Sequence, residues 1–131
     1  MKTIALSRPL PYAVEVVWPI FAEVTRCDWV PGVDEITHAD GIRRFTMAGI
    51  GEVAEKILKV DAASHCLQYS AISTPSGIDH HLATLQLEAA KDDQGCVLHW
   101  TTEIEPDAFA PAVEQAMLAS LAQLEKVLAA V

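Results

Sequence analysis

Arg43 and Glu55 are the two side chains whose types and placement point most directly to chemistry. They flank Gly49-Ile50-Gly51, a turn signal, so a tight hairpin admits a register in which the two lie opposite each other. If both face an apolar interior they form a buried charged pair. Such a pair can orient a carbonyl or carboxylate, or set up acid/base chemistry through shifted pKa values. On a solvated face the same residues are a cross-strand salt bridge worth well under about 1 kcal/mol. The sequence leaves both outcomes open.

The histidines sort by face. His80 and His81 are adjacent, and successive strand residues point to opposite sides, so they do not form a metal or catalytic pair. His99 lies about five residues along the sheet, some 17 Å away at roughly 3.3 Å per residue. His81 alone, turned inward, would serve as a general acid/base or as a polar handle for a ligand; a satisfied core histidine is the commoner case. Cys27, Cys66 and Cys96 lack the paired spacing of a zinc site or redox motif and read as small buried hydrophobes in a reducing compartment. There is no Ser-His-Asp ordering, glycine-rich phosphate loop or dinucleotide fingerprint, so no metal and no cofactor are expected. Trp18, Trp29, Phe45, Tyr69 and Trp100 are large enough to line a pocket, and a domain of this size equally needs them for its core.

Composition narrows the partners. The 131 residues suit one domain, 1–131, and are too few for two good cores. No apolar run approaches the eighteen or so residues that a membrane span requires. Pro9 falls before the N-terminal stretch could build the apolar centre of a secretory signal, so a cytoplasmic protein is expected. A formal net charge of -9 repels phosphate backbones and anionic lipid surfaces, which argues against nucleic acid as a partner.

Periodicity supplies the elements that must position these residues. Lys2 to Leu10 alternates and stops at prolines, as a first strand would. Tyr12 to Val24 is an amphipathic helix in which Pro19 predicts a kink, or a break into two short helices, near Trp18. Cys27 to Val33 is a turn or short helical turn. The period then becomes two, predicting strands at Val33–Ala39, Ile42–Ala48, Val53–Val60, Cys66–Ile72, Ile78–Ala90 and Gly95–Glu105. Asp40-Gly41, Thr74 to Gly77 and Lys91 to Gln94 are the turns among them. Asp107 to Val131 closes the chain as a long helix whose stripe is Val113, Met117, Leu121, Leu124 and Leu128, with alanines beside it.

Register follows from the turns. With Ala90 opposite Gly95, the pairs Leu87–Leu98, Leu85–Trp100, Ala83–Thr102 and His81–Ile104 form one largely apolar face. Pairing Ser73 with Gly77 sets Tyr69 opposite His81. The Val53 strand stays ambiguous, because a one-residue bulge would exchange Glu55 with its neighbours between faces.

In chain order, Val17-Trp18, Trp29-Val30-Pro31-Gly32-Val33, Gly41-Ile42-Arg43, Glu55-Lys56-Ile57, Tyr69, Ala83-Thr84-Leu85, His99-Trp100 and Glu105-Pro106 resemble the bacterial polyketide cyclase/dehydrase-like branch of the START-like (SRPBCC) superfamily. The resemblance covers nearly the whole chain. It implies an α+β helix-grip fold: a curved antiparallel seven-stranded sheet wrapped around a long C-terminal helix, with two short helices between the first and second strands. Pro19, and His81 where many relatives carry a larger aromatic, depart from the pattern, so the cavity shape is this chain's own.

That superfamily includes cyclases, lipid carriers and hormone receptors, so it implies a hydrophobic cavity and no single reaction. The expected lining is Trp29, Arg43, Phe45, Glu55, Tyr69, His81, Trp100, Met117 and Leu121. Three functions fit: binding of a small hydrophobic molecule (lipid-like, aromatic or polyketide-like); a cyclase or dehydratase using Arg43, Glu55, Tyr69 and His81; or an interaction module, such as a homodimer, with a closed core. A void below about 100 Å³ would favour the last.

Overall fold

The computed structural model describes residues 1–92 and 94–131. In chain order the elements are β1 (Lys2–Leu10), α1 (Val14–Ala22), β2 (Thr37–Ala39), β3 (Ile42–Met47), β4 (Gly51–Asp61), β5 (Cys66–Ser73), β6 (His80–Ala89) and β7 (Cys96–Glu105). A 3-10 turn at Asp107–Phe109 then leads into α2 (Ala110–Ala129). The seven strands form one antiparallel sheet in the order β1-β7-β6-β5-β4-β3-β2. From β2 to β7 every neighbour in the sheet is a neighbour in the chain; only β1 is brought back beside the last strand.

Alternation sets the faces. Along β7, Cys96, Leu98, Trp100, Thr102 and Ile104 are buried and the residues between them are not, so one side of the sheet is core. The expected β6–β7 register holds, with Leu87 opposite Leu98, Leu85 opposite Trp100, Ala83 opposite Thr102 and His81 opposite Ile104. The Asp40-Gly41 hairpin turn has both residues at positive φ, 53° and 77°, the geometry that asks for this dipeptide. Gly95 is needed for another reason: a Cβ there would sit 2.8 Å from the Leu10 carbonyl oxygen, where β1 ends against the start of β7.

Several expectations change. One helix, not two, separates β1 from β2, and hydrogen-bonded turns from Glu23 to Val33 stand where a second was expected. Pro19 does not end α1, because its exposed side of the helix leaves the bereaved carbonyl to water. Only Thr37–Ala39 of the Val33–Ala39 strand forms, since Val33 turns into the core instead of pairing. Tyr69 pairs with Ala83, not His81, because the β5–β6 loop is two residues longer than a Ser73–Gly77 pairing requires. The turn expected at 91–94 includes Asp93, which lies outside the described residues.

Both helices cover the inner face. α1 sends Val14, Val17, Trp18, Ile20 and Phe21 into the hydrophobic cluster, and the C-terminal half of α2 adds Leu121, Leu124 and Leu128. Those three leucines are each at most 1% exposed, and burying a leucine contributes roughly 1.5–3 kcal/mol. An exposed Arg8–Glu125 ion pair at 2.9 Å links β1 to the same end of α2. Among the described residues no helix is long and apolar enough to cross a membrane.

Candidate functional site

The site begins with the β3–β4 hairpin. Its register places Arg43 opposite Glu55, and the side chains meet on the inner face, where Arg43 Nε donates to Glu55 Oε1 at 2.7 Å. Both residues are less than a tenth exposed. Irregularities in the β4–β5 pairing at Ala54/Glu55 and Ile57/Lys59 resolve the ambiguous strand: Glu55 and Ile57 turn inward, and Leu58 and Val60 are left exposed. Arg43 is held from two more sides. Its Nη1 donates to the Val24 carbonyl at 3.0 Å, tying the segment after α1 to the sheet, and its guanidinium carbon lies 4.4 Å from the centre of the Tyr69 ring. Burial pushes the Glu55 carboxyl above its usual range and the Arg43 charge partly offsets this. Burial likewise raises the Tyr69 phenol, which stays protonated at neutral pH.

His81 sits where the sheet opens. The β5–β6 ladder runs from the Cys66–Gln86 pair to the Tyr69–Ala83 pair and stops. Beyond it the His81 ring takes over, its Nδ1 accepting the Ala71 backbone N–H at 2.9 Å, while the Ser70 hydroxyl donates to the His81 carbonyl. The ring centres of His81 and Tyr69 are 6.0 Å apart. Burial, with the charges of His80 and Arg43, lowers the His81 pKa to about 4, so the imidazole is neutral at pH 7.

Between this cluster and the N-terminal half of α2 lies a cavity of about 280 Å³. Trp29, Arg43, Phe45, Glu55, Tyr69, His81, Trp100 and Met117 all line it. Leu121 does not; it belongs to the packed part of the core, as does Trp18, whose ring meets His65 edge-on at 5.7 Å. Trp29 lies between Phe21 and Trp100, with ring centres 5.2 and 5.8 Å away and the planes tilted by 59° in both pairs, and forms part of the wall. The indole N–H of Trp100 is buried with no partner among the described residues. Thr102 and Ser120, missed in the sequence, also line the cavity, and their spacing from Trp100 and Met117 puts them on the same faces. Ile36, Ile50, Ile78 and Phe109, from four separate segments, line the cavity too, together with Arg26, Thr74 and Ser76. No pattern within one segment marks these.

A larger groove of about 570 Å³ involves Asp34, Glu35, Arg44, Thr46, Glu52 and Ser73, whose charged members are exposed. None of the groups with shifted ionisation in the Arg43 cluster lines it. The remaining histidines lie elsewhere. His80 meets Glu103 at 3.0 Å, and His99 meets the Ser7 hydroxyl at 2.9 Å and Glu88 at 3.5 Å. That serine–histidine–glutamate chain lines neither of these two cavities. Among the described residues no three His, Cys, Asp or Glu side chains are grouped to hold a metal ion.

A seven-stranded antiparallel sheet gripping one long C-terminal helix, hollow at one end, defines the helix-grip fold. The chain belongs to the family described as polyketide cyclase / dehydrase and lipid transport, whose model matches residues 1–129. Among solved structures, an uncharacterised protein from Bacillus thuringiensis superposes with a TM-score of 0.86 at 15% identity, covering 97% of this chain and 98% of that one. A protein from Thermobifida fusca is similar at 0.80 and 20% identity, over 98% and 93% of the two chains. Norcoclaurine synthase from Thalictrum flavum, in complex with dopamine and hydroxybenzaldehyde, gives 0.75 at 19% identity over 96% and 85%. At these identities the likeness is one of fold. No curated protein matches the chain by sequence.

Proposed function

We propose that the protein reversibly binds a small hydrophobic molecule, aromatic or polyketide-like, in the cavity beneath the N-terminal half of α2. The observation that carries this is the cavity itself: about 280 Å³, mostly apolar, with the Arg43–Glu55 pair set into its wall and Arg26, paired with Asp28, also lining it. That volume is just below the roughly 300–1,000 Å³ usual for ligand pockets, which favours one or two rings over a long acyl chain. The family's description includes lipid transport, and a protein of the same fold holds two small aromatic molecules. Native mass spectrometry of protein purified from its own host tests the reading, with a co-purifying apolar molecule as the expected result. Protein that emerges empty, and that binds neither 2-ethylnaphthalene nor 2-acetylnaphthalene in tryptophan-fluorescence titrations, contradicts it.

A second reading, cyclase- or dehydratase-type catalysis, draws support from the convergence of Arg43, Glu55, Tyr69 and His81 on that one space. Turnover of a polyketide-like substrate that is abolished in Glu55→Gln, while binding persists, would decide for it.

A further inference from the structure

We infer that the polar end of the cavity selects a neutral hydrogen-bond acceptor, a ketone or comparable carbonyl oxygen, and that His81, fixed as an Nε2–H donor, makes the selection. The inference rests on the cavity being a ligand site. It starts from the hydrogen bond between Ala71 and His81. A backbone N–H can only donate, so Nδ1 is the acceptor, and in a neutral imidazole the proton is then on Nε2. The ring is not free to exchange these roles. Past Tyr69 the β5–β6 ladder has ended, so the Ala71 N–H depends on this ring for its partner, and turning the ring away would strand a partly buried amide. The nitrogen that would act as a base is thus occupied, and what His81 offers a ligand is a donor.

The neighbouring guanidinium offers the same thing. Arg43 spends Nε on Glu55 and Nη1 on Val24, leaving Nη2 without a protein partner among the described residues. Glu55 is the only carboxylate among the lining residues, and Arg43 already engages it. Arg26 also lines the cavity but is held by both carboxylate oxygens of Asp28. The Arg43–Glu55 pair is neutral as a whole, so a carboxylate ligand would bring a second negative charge next to Glu55 against a mostly apolar wall. A carbonyl oxygen meets the donors without that cost, and burial keeps His81 uncharged at pH 7 as the inference requires.

Three probes of one ring system separate the possibilities: 2-acetylnaphthalene, 2-ethylnaphthalene and 2-naphthoate, titrated at pH 7 by fluorescence or calorimetry. The ketone should bind roughly tenfold tighter than the hydrocarbon, the scale of one or two hydrogen bonds, and tighter than the carboxylate. His81→Leu should remove most of that preference, read as the ratio of ketone to hydrocarbon affinity within the variant. Equal affinities for ketone and hydrocarbon in the wild type would overturn the inference and leave hydrophobic binding standing. Tightest binding of 2-naphthoate would overturn the neutral-acceptor choice. Binding of none of the three would overturn both this inference and the function it rests on. Should His81→Leu fail to fold, long-range proton–nitrogen NMR of the wild type reads the tautomer directly: the Nε2–H form, with Nε2 shifting on addition of 2-acetylnaphthalene, is expected, and an Nδ1–H or doubly protonated ring at pH 7 overturns the assignment.

Discussion

At one end of α2, Leu121, Leu124 and Leu128 are sealed against the sheet, each at most 1% exposed; at the other, Ala112 and Ala116 stand exposed beside a cavity of about 280 Å³. The helix is continuous, and the three-and-four spacing of the inward stripe does not change between the two ends. What changes is what the helix meets. α1 reinforces the sealed end with Trp18 and Phe21, whereas the open end meets strands β5 and β6 where their pairing has lapsed. A stripe on a helical wheel therefore says which way a helix faces, and what lies opposite it decides whether anything else fits.

The contrast can be broken at named positions. The largest effect is expected at the boundary: Arg43→Met leaves Glu55 buried without its counter-charge and should lower stability by about 3–5 kcal/mol in urea unfolding, while replacing both residues by apolar ones costs far less. In the sealed half, Leu124→Ala should cost about 3 kcal/mol, near the low end of the range for a leucine cavity. In the open half, Ala116→Trp should change stability by less than about 1 kcal/mol yet weaken binding of 2-acetylnaphthalene more than tenfold, because the new ring occupies empty space. A large stability loss from this substitution would mean that the two halves are packed alike. Smallest of all, Arg8→Gln on the surface of the sealed end should move stability by under about 1 kcal/mol.

Acidity offers another handle on the open half. His81 has a pKa near 4 in the folded protein against about 6.5 unfolded, so between these values the unfolded chain binds more protons. Its contribution to stability is complete above pH 6.5 and is lost as pH falls towards 4. Glu55, raised by burial, acts in the opposite direction: its contribution is present below its unfolded value and is lost as pH rises through the folded one. The difference between wild type and His81→Leu in urea midpoints across pH 4 to 6.5 isolates the histidine. The wild type should gain stability with pH more steeply than the variant.

Legibility in the sequence followed the length of the connections. The β6–β7 register was readable because a short turn signal sits between strands of clear alternation, and it placed His81 opposite Ile104. Around Gly49-Ile50-Gly51 the sequence only admitted Arg43 opposite Glu55, since a bulge in the Val53 strand could turn Glu55 to either face. The β5–β6 pairing was not readable, because Thr74 to Asp79 has turn residues enough for loops of more than one length, and two extra residues move Tyr69 from His81 to Ala83. The candidate lining was largely readable from face alone, since Trp100, Phe45 and Tyr69 share the parity of core neighbours. Leu121 and Met117 looked equivalent on the helical wheel and differ only in how deep each lies along the helix. The Val24 carbonyl that holds Arg43, and the Ala71 amide that holds His81, are backbone groups whose side chains announce nothing.

The pairing of β1 with β7 sets an order of events for the chain as it is made. Every other strand contact joins consecutive segments, which can zip as soon as a hairpin is available, but Leu6 has no partner until Trp100 exists and Leu10 none until Cys96 does. During synthesis the opening strand, with Ile4, Leu6 and Leu10 unmet, waits for nearly the whole domain to emerge. The helix that follows β7 in the chain covers the same inner face. Edge pairing and helix docking thus fall together at the end of folding, and until then the sheet is a meander with one margin open to aggregation.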